Sequence, residues 1–246
     1  MSKQIIIDAH THIFPAKIVH KAVDSIGRFY GIPMGHGGLP QSLLDSGGKI
    51  GVDLYLVCST ATTPAQVESI NDFIAGECRL HPEFYGFGAL HPGFEGLAEE
   101  MERIRALGLH GVKLHPDFQR FDIDDPGDDR YDYSAPARMA SVARQVPDLV
   151  CIAAHFGGYN RWQDSHLYKG LDNVYFDTSS SLFKLPREEA LALIDLLGED
   201  RFFFGTDFPM WDHREELARF SALGLPPSVR EKILHQNFQR VFGVTV

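Results

Sequence analysis

Short runs rich in Val, Ile, Phe and Tyr alternate along this chain with longer stretches whose apolar residues recur at helical spacing, the pattern of βαβ units around a parallel sheet. Seven strands are predicted: Gln4–His10, Val52–Ser59, Phe84–Leu90, Gly111–His115, Leu149–His155, Asn173–Thr178 and Arg201–Thr206. Helices are predicted between and around them at Pro15–Tyr30, Pro64–Leu80, Phe94–Leu107, Ser134–Val146, Tyr159–Leu167, Pro186–Leu197 and Asp212–Leu223, and a last helix at Pro227–Phe238 ends the series. No Ser/Gly/Pro-rich linker divides the series and no repeat recurs at a fixed period, so one domain is expected over residues 1–246. The expected fold class is α/β, a TIM-like (β/α) barrel with seven strands. Between two helical segments lies the glycine-rich stretch Gly31-Ile-Pro-Met-Gly-His-Gly-Gly38, which reads equally as a lid over a site or a surface loop.

Composition narrows the function classes. The net charge of −10 repels phosphate backbones and anionic lipid, and no basic run is interleaved with aromatics. Nucleic acid and membrane are therefore not expected partners, and no apolar stretch approaches the roughly 20 residues that span a bilayer. Cys58, Cys78 and Cys151 are scattered and form no CxxC pair, which suggests neither a disulfide framework nor a cysteine-rich zinc site. At the N-terminus the apolar run Ile5–Ile7 meets a charge at Asp8, unlike a signal peptide. A cytoplasmic enzyme with a small-molecule substrate is the expectation, with self-association as a homo-oligomer left open.

Candidate chemistry gathers at the C-terminal ends of the predicted strands, the catalytic face of a barrel. His10 and His12 stand at i and i+2, so both project to one face of the strand, about 7 Å apart at Cα, and two imidazoles reach one divalent ion such as Zn²⁺; the alternative is a pair of buried histidines bonded to backbone. Asp207 follows the apolar run Phe203-Phe-Gly-Thr206 where the chain leaves the barrel; beside a metal it binds the ion and accepts a proton from water, and otherwise it forms a structural salt bridge. His155 ends the run Val150-Cys-Ile-Ala-Ala154 and precedes Gly157-Gly158; ligand, general acid and electrophile are all open to it, as is a satisfied core histidine. Lys113 and His115 share a face of their strand and are candidate substrate-binding residues. Lys113 is read as a counter-ion for an acidic substrate in preference to a carboxylated metal bridge. His91 sits at the rim, where a role and none are equally open; His81 and His110 precede their strands and are assigned no role. The acidic stretch Asp122–Asp129 fails as a calcium loop, because Pro126 and Tyr133 occupy positions that require oxygen ligands, and reads as a solvated loop.

These segments resemble the amidohydrolase superfamily, in particular its amidohydrolase-2 branch, which also contains aminocarboxymuconate-semialdehyde and γ-resorcylate decarboxylases. Asp8-Ala-His-Thr-His-Ile-Phe-Pro15, Gly111-Val-Lys-Leu-His-Pro116, Ala154-His-Phe-Gly-Gly158, Asp177-Thr-Ser179 and Gly205-Thr-Asp-Phe-Pro209 are similar to that branch's motifs, in order. The resemblance implies one divalent metal, often zinc, with His10, His12 and Asp207 as ligands, Asp207 also a proton carrier, and His155 a catalytic base or polarising group. It also implies a departure: relatives carry a further strand, ending in a metal-binding histidine, between the segments matching Gly111–Pro116 and Ala154–Gly158. One βα unit is expected to be missing around Pro126-Gly127. The expected function is metal-dependent hydrolysis of a small carboxylated or cyclic substrate, Asp207 taking the proton of an activated water and His155 polarising the carbonyl. The alternatives are non-oxidative decarboxylation of an aromatic or unsaturated acid, and a barrel that lacks one ligand and catalyses nothing.

Overall fold

The computed structural model describes residues 4–121 and 134–246. Strand β1 (Ile7–His12) pairs in parallel with β2 (Leu54–Cys58), and β2 with β3 (Phe84–Gly86). Beyond Phe87 the same line continues as β4 (Gly88–Ala89), which pairs with β5 (Val112–Lys113). A second group runs β6 (Cys151–Ala153), β7 (Val174–Asp177), β8 (Phe202–Phe203), again parallel. The two groups join through β1: Ala9 N–H donates to the Phe204 carbonyl at 2.8 Å, and Thr11 bridges Phe208. The resulting order is β5, β4 with β3, β2, β1, β8, β7, β6. All seven predicted strand positions carry strand, the third in two pieces. Among the described residues no backbone pairing joins β5 to β6, so the barrel is not closed there. The stretch 122–133, where the acidic loop and the missing unit were expected, lies outside the described residues.

Burial on both faces explains why these segments form parallel strands. Phe202, Phe203 and Phe204 are all fully buried: Phe202 and Phe204 pack with Phe156 and Phe176 on one side, and Phe203 with Ile7 and Phe238 on the other.

The helices are α1 (Val19–Tyr30), α2 (Pro40–Gly48), α3 (Val67–Leu80), α4 (Leu97–Ala106), α5 (Pro116–Gln119), α6 (Pro136–Gln145), α7 (Arg187–Leu197), α8 (His213–Ala222), α9 (Pro227–Glu231) and α10 (Asn237–Phe242). Besides the single-turn α5, which was not expected, three segments differ from expectation for identifiable reasons. Helix α2 ends in Gly47-Gly48, which hides it in the sequence; a Cβ at Gly47 would overlap the Tyr55 ring. The expected helix Pro227–Phe238 is interrupted by a π turn at Lys232–Gln236, because the Ile233 carbonyl accepts the Phe204 N–H at 2.8 Å and leaves the helical ladder. In place of the expected helix Tyr159–Leu167 there is a 3₁₀ segment, Trp162–Tyr168. No helix among the described residues is long and apolar enough to cross a membrane.

Candidate metal centre

Backbone register brings the first three candidate residues together. Asp207 N–H donates to the His10 carbonyl at 2.8 Å and His12 N–H donates to the Phe208 carbonyl at 2.7 Å, so the segment leaving β8 lies directly against the end of β1. Asp207 Oδ1 consequently stands 3.1 Å from His12 Nε2 and 3.7 Å from His10 Nε2. Two donors each roughly 2.0–2.1 Å from a tetrahedral ion are separated by about 3.3 Å. The observed spacings bracket that value, and His10, His12 and Asp207 each offer one ligand atom within 4.8 Å of the others. The donor set fits a divalent cation.

Neighbouring groups fix which atoms face the centre. His10 Nδ1–H donates to Asp177 Oδ2 at 2.9 Å, which leaves Nε2 as the ligating atom. His12 Nδ1 lies 3.4 Å from Cys58 Sγ, again leaving Nε2 inward. Asp207 Oδ2 accepts from Ser180 Oγ at 2.5 Å, so Oδ1 is the free carboxylate oxygen. His155 Nδ1–H donates to the Ser179 carbonyl at 3.1 Å, and its ring stacks on His10 with centroids 5.1 Å apart. Asp177 itself is saturated: Oδ2 holds His10, and Oδ1 accepts the backbone N–H groups of His155 and Ser179 and the Ser179 hydroxyl. It orients ligands and has no free oxygen for an ion.

Lys113 and His115 enter from β5 and the turn after it. Lys113 Nζ lies 3.2 Å from His10 Nε2, at the edge of the donor set. His115 Nδ1 accepts the Phe118 N–H at 3.3 Å, so in the neutral ring the proton is on Nε2, which donates to Tyr30 Oη at 2.9 Å. Burial, with Lys113 nearby, holds His115 well below the usual imidazole range and keeps it neutral. Both of its nitrogens are engaged, so it does not stand in for a missing ligand.

Electrostatics support an anionic carboxylate between imidazoles. Burial pushes Asp207 up, but His10, His12 and His155 hold it well below the carboxylate range. Burial likewise acts against Asp177, and His10 outweighs it. Strain is concentrated here too. His155, Phe156, Ser180 and Asp207 all have positive φ. Such a left-handed backbone costs non-glycine residues free energy and gathers at functional sites.

Above these groups opens a cavity of about 580 Å³. Helix α1 lies across its mouth. The helix begins next to the end of β1, and its last residue, Tyr30, bonds His115 after β5 and packs on Tyr159 after β6. Ala22, Ser25 and Ile26 of α1 form one wall, and Ile70 and Phe73 of α3 another.

Part of the sequence and the fold as a whole are similar to those of known proteins. The sequence model of the amidohydrolase family matches residues 127–244, a span that includes His155, Asp177 and Asp207. Over that span the chain is similar to the amidohydrolase family. No curated protein matches it in sequence. Among solved structures, an uncharacterised TIM-barrel protein from Bordetella bronchiseptica superposes with TM-score 0.78 at 20% identity, over 97% of this chain and 98% of that one. The 5-carboxyvanillate decarboxylase of Sphingomonas paucimobilis gives 0.72 at 16% identity, over 99% and 100%. A dihydroxybenzoic acid decarboxylase from Polaromonas, with bound manganese and 2-nitroresorcinol, gives 0.68 at 18% identity, over 98% and 97%. At these identities the likeness establishes a TIM-barrel type of fold.

All six residues singled out from the sequence (His10, His12, Lys113, His115, His155 and Asp207) line the same cavity. His81, His91 and His110 do not: they pack on Phe84, accept from Gly93 N–H, and stack on Tyr85, respectively. The sequence missed Tyr30 and Ser180, and marked Asp177 and Ser179 as part of a motif without giving either a role. Asp177 and Ser179 carried a signal, a polar pair at a strand end; Tyr30, at the end of a distant helix, carried none. The glycine-rich stretch contributes Met34 to the cavity wall, and its Gly38 carbonyl accepts the Phe14 N–H at 2.7 Å.

Proposed function

We propose that this chain is a metal-dependent hydrolase acting on a small carboxylated substrate, with His10, His12 and Asp207 as ligands of one divalent cation, zinc being the expected ion. The supporting observation is the spacing of the three donor atoms, together with the capture of the remaining ring nitrogens by Asp177 and Cys58. A cation held there supplies Lewis acidity to a substrate carbonyl and to water. Asp207, with Oδ2 held by Ser180 and Oδ1 turned to the two imidazoles, suits ligation better than proton transfer. His155, with Nδ1–H committed to Ser179, keeps Nε2 to take the proton of the attacking water and pass it to the leaving group. Lys113 pairs with a substrate carboxylate. His115 donates to Tyr30, so the Tyr30 hydroxyl is free to donate its own proton to a substrate oxygen, and His115 acts as a positioning residue.

Elemental analysis tests the centre. About one divalent ion per chain is expected, with near-complete loss in the His10→Ala/His12→Ala double variant; undiminished metal content in that variant would overturn the assignment. A second reading, non-oxidative decarboxylation, is favoured by the apolar cavity wall and by the decarboxylases among the structural relatives. Release of CO₂ from aromatic acids, without release of a hydrolysis product from esters or amides, selects it.

We further infer a single seven-stranded domain that lacks one βα unit. The stretch 122–133 is shorter than a βαβ unit, which takes about 30 residues. With His115 engaged elsewhere, the ligand role that the resemblance gives to that unit falls to water. A cytoplasmic setting and the absence of nucleic-acid partners follow from charge and cysteine usage.

A further inference from the structure

The cavity is larger and more basic than a single small acid requires. His10, His12, Asp207 and Lys113 line it at the metal centre, and Tyr30 stands beside His155 and Asp207. The chain leaving β1 adds Lys17 and Lys21 to the lining, four positions apart, and neither is in an ion pair among the described residues. The lining also holds an apolar belt, Ile18, Ala22 and Ile26 of the α1 segment and Ile70 and Phe73 of α3. Ile18, Ala22 and Ile26 recur at i, i+4, i+8 and Ile70 and Phe73 at i, i+3, so each segment turns one face to the cavity.

Charge and size point the same way. The chain carries a net charge of −10, yet the cavity lining holds three lysines, Lys17, Lys21 and Lys113, against the single carboxylate Asp207. A basic lining in an acidic protein concentrates field lines on anionic ligands. The cavity volume of about 580 Å³ is ample. Sites for drug-sized ligands typically measure roughly 300–1,000 Å³. Lys21 and Tyr30 both belong to α1, nine positions apart. At the rise of an α-helix that separation is about 13 Å along the axis.

Resting on the metal-centre reading above, we propose that the substrate is an elongated diacid. One carboxylated end sits at the metal centre, an apolar body larger than one ring fills the belt, and a second carboxylate meets Lys17 and Lys21. These two lysines then determine specificity and take no part in the chemistry.

The test uses the metal-loaded full-length chain and two probes of equal girth, biphenyl-4-carboxylate and biphenyl-4,4′-dicarboxylate, titrated calorimetrically at low ionic strength. The diacid is expected to bind roughly five- to tenfold more tightly than the monoacid, the gain of two exposed ion pairs. In Lys17→Ala/Lys21→Ala the ratio should fall to about one; both side chains are solvent-exposed, and circular dichroism checks that the fold is kept. Equal affinities in the wild type, or a ratio unchanged in the double variant, would overturn the diacid proposal while leaving the metal centre standing. Failure of both acids to bind metal-loaded protein would overturn the carboxylated-substrate reading along with it.

Discussion

Asp177 shows at the scale of one residue how the proposed metal centre is built from behind. Its two oxygens hold His10 Nδ1–H on one side and the backbone of His155 and Ser179 on the other, so one carboxylate sets the tautomer of His10 and the seat of His155. Asp177→Asn replaces an acceptor with an amide that cannot satisfy all of these donors. Losses of this kind weaken metal binding by about 10–100-fold. A chelator-competition titration should show that drop with secondary structure retained; unchanged affinity would remove Asp177 from the centre. His10, His12 and Asp207 were legible in the sequence because polar side chains at apolar strand ends need partners, and strand periodicity places the two histidines together. Tyr30 was not legible, since nothing local to Arg28-Phe-Tyr30 announces a contact with His115 across the mouth of the barrel. Tyr30→Phe keeps the ring against Tyr159 and Phe118 and removes only the hydroxyl. If the hydroxyl donates to substrate, turnover should fall about tenfold or more, with metal content unchanged by elemental analysis.

At the scale of elements, the segment after β6 explains why a periodic stretch failed to become a regular helix. Left-handed His155, Phe156 and Gly157 point their carbonyls toward the chain that follows. Three side chains answer them: Trp162 Nε1–H donates to the His155 carbonyl at 2.9 Å, Ser165 Oγ to Phe156 at 3.0 Å, and Tyr168 Oη to Gly157 at 2.8 Å. A 3₁₀ turn places these donors where they are needed; the apolar period alone does not encode that demand. The same segment leaves no freedom at Gly157, which has a left-handed φ and where a Cβ would stand 2.8 Å from the Tyr168 ring and 3.1 Å from Phe176. Gly157→Ala should therefore destabilise by about 2–4 kcal/mol, combining overpacking with left-handed strain. Urea denaturation measures it, and a loss below about 0.5 kcal/mol, the range of ordinary surface substitutions, would show that the turn tolerates rearrangement.

For the whole molecule, strand positions were readable because burial on both faces leaves uninterrupted apolar runs, whereas closure depends on backbone pairing that side-chain pattern does not report. That is why seven strand positions are found and, among the described residues, the β5–β6 seam is open. The response of stability to pH is likewise collective. Glu216 on α8 is fully buried; burial raises it to about 7, Asp207 and Asp8 add to the rise, and the partner Arg219 opposes it. A carboxyl raised in the folded state prefers its neutral form there. Its destabilisation is therefore absent below the unfolded value near 4.5, grows as pH rises, and is complete above about 7. Asp177 and Asp207 act in the opposite sense: depressed in the folded state, they contribute stability above the ordinary carboxylate range and lose it as pH falls below about 4. Wild-type stability alone mixes these slopes, but Glu216→Gln isolates one, because glutamine matches the neutral acid in shape and still accepts from Arg219. Relative to wild type, the melting temperature of this variant should rise steadily between about pH 4.5 and 7 and level off above that range. A difference independent of pH in thermal melts from pH 4 to 8 would mean that Glu216 is charged throughout and that its pair with Arg219 outweighs burial.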